Sequence, residues 1–236
     1  MKRIISIMKK SNEWPISELV IYKNNQLLAL NKPAGLGVQA DKTDDKALLN
    51  LAEIYTKGKV LLTHRIDRPA SGVVLFAKTK GALVNLNAQF QERTIKKIYL
   101  AVVGVLPNGE EKGELVHFLR KNGKTNKSYV AEEKQSNAKK AILSYELLES
   151  IDNYHLLRVE LFTGRHHQIR AQMSAAGAPI KGDVKYGFRR NNPDRSIHLH
   201  AWQLHFDHPV SLERVELTAP VPDEPVWNAF KILKNG

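Results

Sequence analysis

The chain has 236 residues, enough for one sizeable core, and a formal charge of +12 from 36 lysines and arginines against 24 acids. It contains no cysteine, which removes disulfides, thiolate metal sites and thiol nucleophiles together. The first apolar run is too short for a secretory signal and no later stretch approaches a membrane span, so a cytoplasmic protein is expected; the excess positive charge points to a polyanionic partner whose counterions are released on binding.

Residues 1–18 read as a basic tail. Residues 19–22 and 27–30, joined by the polar turn Asn24-Asn25, read as a hairpin, and Asn31-Lys32-Pro33-Ala34-Gly35 then breaks the second strand into a loop. Asp44 or Asp45 is placed to cap a helix with Leu48, Leu51 and Tyr55 on one face and Gly58 at its end. Residues 64–72 follow, His-Arg-Ile-Asp-Arg-Pro-Ala-Ser-Gly, in which a single carboxylate sits between two arginines. In an extended segment, alternation puts Arg65 and Asp67 on one face and Ile66 and Arg68 on the other. Cationic neighbours favour the ionised form, so Asp67 reads as a nucleophile or base rather than a proton donor. Ser71-Gly72 reads as a turn into the buried strand 73–77.

Thr79 or Gly81 opens a helix with Leu83, Leu86 and Phe90 at helical spacing, and residues 98–103 alternate as a strand that places Tyr99 on the face of Lys97. Residues 107–140 are rich in lysine, asparagine and glycine and read as two short strands with basic turns, either a solvated surface or a phosphate-contacting flap. A strand over 156–161 delivers Thr163-Gly164-Arg165-His166-His167-Gln168-Ile169-Arg170, after which Ile169 and Met173 begin a helix stopped at Gly177. His198 and His200 share a strand face, but with no cysteine or compact carboxylate cluster they read as core rather than as metal ligands. Asp223 is placed to cap a last helix from Pro225, with Val226, Trp227, Phe230 and Leu233 as its packing stripe.

Three of these strings, in this order, resemble the motifs of the RluA-type family of pseudouridine synthases. They are N-K-P-x-G at 31–35, H-R-L-D-x-x-T-S-G at 64–72 with Ile66 for leucine and Ala70 for threonine, and T-G-R-x-H-Q-I-R at 163–170 with His166 for the commoner threonine. K-x-Y-x-A at 97–101 and G-x-P-I-x-G-D-x-x-Y-G at 177–187 fit the family as well. The resemblance implies a single α+β catalytic domain with a mostly antiparallel twisted sheet, flanking helices and an RNA-binding cleft, and no separate N-terminal RNA-binding domain. It implies isomerisation of specific uridines in ribosomal or transfer RNA, with Asp67 as the catalytic carboxylate, Arg165 paired to it and Tyr99 stacked on the target base. Arg65 would occupy the space the flipped base vacates, and Lys32, His64, Arg68, Lys97, Gln168 and Arg170 are the further candidates for contact with structured RNA. Isomerisation adds and removes nothing, so neither cofactor nor metal is expected, and the chain is expected to act as a monomer. The alternatives are a catalytically silent RNA-binding protein and a nucleobase-cleaving glycosidase, which would want a second acid that the linear sequence does not place near Asp67.

Overall fold

The computed structural model describes residues 15–40 and 47–234, so most of the basic tail and the Asp44 or Asp45 cap lie outside the described residues. Its strands are β1 (Val20–Lys23), β2 (Leu27–Lys32), β3 (Leu61–Leu62), β4 (Ser71–Ala77), β5 (Lys96–Val103), β6 (Lys112–Asn122), β7 (Lys127–Ala131), β8 (Lys139–Ile151), β9 (Tyr154–Leu161), β10 (Leu199–Asp207) and β11 (Arg214–Thr218). They form one sheet in the order β1-β2-β4-β10-β5-β9-β8-β6-β7, with β3 added to β4 and β11 to β10. Only the β4–β10 pairing is parallel. The helices are α1 (Ile16–Leu19), α2 (Leu48–Thr56), α3 (Lys80–Glu92), α4 (Gln168–Ala175) and α5 (Pro225–Ala229). This is the expected α+β architecture. No helix among the described residues is long and apolar enough to cross a membrane.

Burial explains the layering. Every residue of β4 is buried, as an uninterrupted apolar strand must be when both faces of the sheet are covered. Ala52 of α2 and Leu86 of α3 share one apolar core with its residues. Further along the sheet, β5 sends Ala101 and Val103 toward Ile169 and Met173 of α4, and Leu100 and Val102 toward Trp227 of α5 and Phe230 just after it. Strand alternation thus assigns the two helices to opposite faces.

The structure corrects the sequence reading at several local points. The turn after Asp67 is made by Arg68 and Pro69, closed by the Ala70 N–H donating to the Asp67 carbonyl at 3.1 Å, and Ser71-Gly72 already belongs to β4. Gly72 has φ +115°, and a Cβ there would stand 2.2 Å from the Ala201 carbonyl oxygen, so the glycine serves the close approach of β10 rather than a turn. Residues 107–140 are mostly ordered strand, because β6 runs eleven residues, turns at Asn122 and pairs with both β7 and β8. The cap of α5 is Glu224, whose side chain accepts from the Trp227 N–H, while Asp223 accepts from the Asn228 amide. Thr79 caps α3 as expected, accepting from the Ala82 N–H at 3.2 Å.

His198, just before β10, and His200 within it hold this framework. His198 Nε2 meets Glu224 at 2.7 Å, tying the C-terminal segment to the sheet. His200 donates from Nε2 to the Ala219 carbonyl at 3.1 Å, which leaves Nδ1 to accept from the Ser71 hydroxyl at 2.8 Å. Burial lowers the His200 pKa to about 4, opposed by its bond to Ala219. Between pH 6.5 and 4 the unfolded chain therefore holds the extra proton, and stability falls as pH falls through that window. We expect a loss of up to ~3 kcal/mol from this ring alone between pH 7 and 4. Urea midpoints at the two pH values measure it, and His200→Gln should flatten the acid limb; an unchanged slope would remove His200 from the account.

Candidate active site

Three distant stretches meet across β10. Ala201 pairs with Gly72 on one side and Tyr99 on the other, so the Asp67 loop and Tyr99 are separated by one strand, a span of about 10 Å. The end of β9 and the start of α4 supply residues 163–170. Between them lies a cleft of about 900 Å³, lined also by Gly37 to Ala40 and by Lys121 and Asn126 of the β6–β7 hairpin. Among the described residues its cations are Arg65, Arg68, Lys97, Lys121, Arg165, Arg170 and Lys185, and its lone carboxylate is Asp67.

The guanidinium bound to Asp67 is that of Arg170, not Arg165. Arg170 donates to Asp67 Oδ2 at 3.1 Å and forks onto Asp183 at 2.7 and 2.9 Å. Arg165 instead donates from Nε to the Lys140 carbonyl at 3.0 Å. His167, the cap of α4, takes a left-handed conformation with φ 52°, and Arg170 follows on the first turn of that helix. Burial would loosen the Arg170 proton, but Asp183 first and Asp67 second hold its pKa above the ordinary arginine value. Asp67 Oδ1 has no hydrogen-bond partner among the described residues, and its side chain is 25 % exposed in the cleft.

A polar relay backs this pair. Tyr186 lies under the Arg170 guanidinium, 4.9 Å from carbon to ring centroid, with the Lys127 ammonium also over the ring at 4.8 Å. Its hydroxyl accepts from the Ser128 N–H at 2.8 Å and meets His167 Nδ1 at 2.9 Å. The arrangement that satisfies every group has Tyr186 donating to Nδ1, which leaves Nε2–H of His167 directed at Asp67 Oδ2, 3.8 Å away. Burial, then Arg170, then His166 lower the His167 pKa to about 2, so this ring is neutral. Burial raises the Tyr186 pKa to about 12. His167, Asp183, Tyr186 and Ser128 were not among the candidates; the G-D-x-x-Y-G string was the available signal for two of them, since the helical turn Val184–Tyr186 brings Asp183 and Tyr186 round to Arg170.

Of the remaining candidates Lys32 lies off the cleft lining, while Gln168 and His64 are on it but held in bonds to the scaffold. Lys32 is fully buried and does not reach RNA: its ammonium donates into a cage of carbonyls from Pro33, Leu36, Arg68 and Ala70, at 2.6 to 3.1 Å. It ties the 33–36 loop to the Asp67 loop. Burial lowers its pKa to about 7 against the pull of Asp67, and the protonated form is the one whose three N–H groups the cage is built for. Gln168 is also scaffold. Its amide nitrogen donates to the Ile142 carbonyl, and its oxygen accepts from Thr163 and the Arg165 N–H. His64 accepts the Leu75 N–H on Nε2, and burial lowers its pKa to about 3, which makes it a neutral support for the loop. Arg65, Arg68, Lys97 and Tyr99 do line the cleft, Arg65 at its exposed edge near Gln39 and Arg68 donating to the Gly35 carbonyl. Burial and the charge of Asp67 raise the Tyr99 pKa, so the phenol keeps its proton.

A mostly antiparallel sheet carrying one accessible carboxylate in a cationic cleft defines a catalytic domain for a polyanionic substrate. The family model described as RNA pseudouridylate synthase matches residues 26–175. Over 225 residues the chain is 32 % identical to the ribosomal large subunit pseudouridine synthase C of Vibrio vulnificus, covering 89 % of this chain and 67 % of that protein. Identity to the ribosomal large subunit pseudouridine synthase D of Pseudomonas aeruginosa is 31 % over 238 residues, covering 91 % and 72 %. The chain thus spans about two thirds of the length of the curated relatives it matches. The solved structure of human RNA pseudouridylate synthase domain containing 4 has the same fold, with a TM-score of 0.71 at 24 % identity over 88 % of this chain and 90 % of that one. The chain belongs to the RNA pseudouridylate synthase family, RluA-type isomerases that act on uridine in RNA.

Proposed function

We propose that this chain converts specific uridines of ribosomal RNA to pseudouridine, with Asp67 as the catalytic carboxylate. The observation that carries this reading is the cleft itself, where Asp67 is the lone carboxylate among the lysines and arginines of the described lining, with Oδ2 held by Arg170 and Oδ1 without a hydrogen-bond partner among the described residues. Base flipping delivers a uridine to such a cleft at a cost of a few kcal/mol, least at loops and distorted sites. Tyr99 offers its ring to the extruded base. Asp67 Oδ1 then attacks the anomeric carbon of the ribose or takes the proton beside it; either route releases uracil from its nitrogen linkage and lets the fifth ring carbon rejoin the sugar. The names of the relatives above favour ribosomal over transfer RNA.

A nucleobase-cleaving glycosidase would use a second carboxyl group. Asp183 is the nearest candidate, but it is 1 % exposed and both its oxygens are engaged by Arg170. The test is pseudouridine mapping of ribosomal and transfer RNA from cells with and without the gene. A site missing from ribosomal RNA and restored by the parent protein supports the proposal. A site missing only from transfer RNA would move the substrate, and released uracil would replace isomerisation with hydrolysis.

Tyr99 separates stacking from hydroxyl chemistry. Tyr99→Phe keeps the ring and is expected to retain most substrate affinity, whereas Tyr99→Ala loses ~1–3 kcal/mol of base stacking. Single-turnover rates and affinities of both variants measure this, and parental behaviour of the alanine variant would return Tyr99 to the core.

A further inference from the structure

We propose that Lys97, with Arg165 beside it in the cleft, forms a phosphate subsite that takes a backbone phosphodiester flanking the target uridine. The inference rests on the isomerase reading and assigns one specific contact within it. Most cations of the cleft are already engaged: Arg170 by two carboxylates, Arg165 by the Lys140 carbonyl, Lys185 by the Asn126 carbonyl, Arg68 by the Gly35 carbonyl and Arg65 by the Gln39 side chain. Lys97 and Lys121 have no hydrogen-bond or ion-pair partner among the described residues. Lys121 is exposed on the hairpin and hydrated. Lys97 is half-buried, so its ammonium has given up part of its water without a protein acceptor in exchange.

Its neighbours sharpen the point. Burial first, then the positive charges of Arg93 and Arg165, work against protonation of Lys97, which places like charges together with no acid to relieve them. An arrangement that costs the apo protein electrostatic energy is compensated when an anion arrives. Gly164 lies beside the ammonium: a Cβ there would be in ordinary contact with Lys97 Nζ at 3.4 Å. The ligand follows from position. Lys97 stands two residues from Tyr99 on the same strand face, about 7 Å along β5. With the base against Tyr99 and the ribose at Asp67, the next group along an RNA strand within reach of Lys97 is a phosphate, which the neighbouring Arg165 can also engage from its unused guanidinium nitrogens.

The experiment needs no turnover, so its outcome is independent of whether isomerisation is seen. Protein labelled with ¹³C at lysine is titrated with uridine, uridine 5′-monophosphate, uridine 3′-monophosphate and inorganic phosphate at constant ionic strength, and the Lys97 signal is assigned by its loss in Lys97→Met. The phosphate-bearing probes should shift the Lys97 signal at concentrations that leave Lys121 and Lys124 unmoved, and uridine should not. The tighter nucleotide identifies whether the 5′ or the 3′ phosphate is held. Lys97→Met should bind that nucleotide about tenfold more weakly, the equivalent of ~1.4 kcal/mol. A Lys97 signal that does not respond, one that moves only in parallel with the exposed lysines, or parental nucleotide affinity in folded Lys97→Met would each overturn the subsite.

Discussion

Asp67→Asn is expected to lower single-turnover conversion of uridine by roughly 10⁴-fold or more while leaving RNA affinity within a few-fold of the parent. The amide is nearly isosteric, but its oxygen is neither an adequate nucleophile nor an adequate base. Binding persists because the phosphate contacts come from the cations around the cleft, and a lost aspartate removes a repulsion rather than an attraction. Stability should fall by only ~1–2 kcal/mol, since Arg170 keeps its paired bonds to Asp183 and only a charge-assisted hydrogen bond is weakened. The decisive measurement places conversion of unmodified ribosomal RNA beside filter-binding affinity at one salt concentration. Parental conversion by a folded Asp67→Asn protein would reject Asp67 as the catalytic group.

Arg170→Met should affect both fold and chemistry. Asp183 is buried and has Arg170 as its ion-pair partner, so removing the guanidinium strands a carboxylate in the interior and should cost ~3–5 kcal/mol. The two effects separate in the double variant Arg170→Met, Asp183→Leu, where an apolar pair of similar volume replaces the ionic one and most of the stability returns. Conversion should not return, because Oδ2 of Asp67 then keeps only the distant His167 Nε2, 3.8 Å away, and its carboxylate is free to rotate away from the ribose. Urea midpoints and single-turnover rates on the three proteins measure this. A double variant with both stability and parental conversion would reduce Arg170 to scaffold.

The motif strings fall together around one cleft because they mark short-range features, a carboxylate flanked by arginines and an aromatic two residues from a lysine on one strand face, whereas Gly72 reads as a turn and proves to serve the close approach of two strands. The same strings misassigned partners. Lys32 looks like a lysine on an exposed loop, and only the convergence of two loops around it turns its ammonium inward onto four carbonyls. Gln168 looks like a polar residue at a helix start, and only its place against β8 commits both ends of its amide. The 107–140 segment reads as two short strands with basic turns, and the eleven-residue length of β6 shows only in its pairing with β8.

What the sequence by itself determined was the chemistry available: one aspartate among cations, no thiols, an excess of positive charge, and alternation that builds most of the strands and places Tyr99 beside Lys97. What only the tertiary structure decided was which groups act together. Asp67 and Arg170 are 103 residues apart in the chain, and the helix that carries Arg170 starts from a left-handed backbone at His167 that a non-glycine residue does not advertise. Side-chain alternation is a property of a few successive dihedrals and is written locally. The pairing of a buried guanidinium with one carboxylate rather than another is settled by the packing of whole elements, here β4 against β10 and α4 against β6 and β7, and no local pattern encodes it.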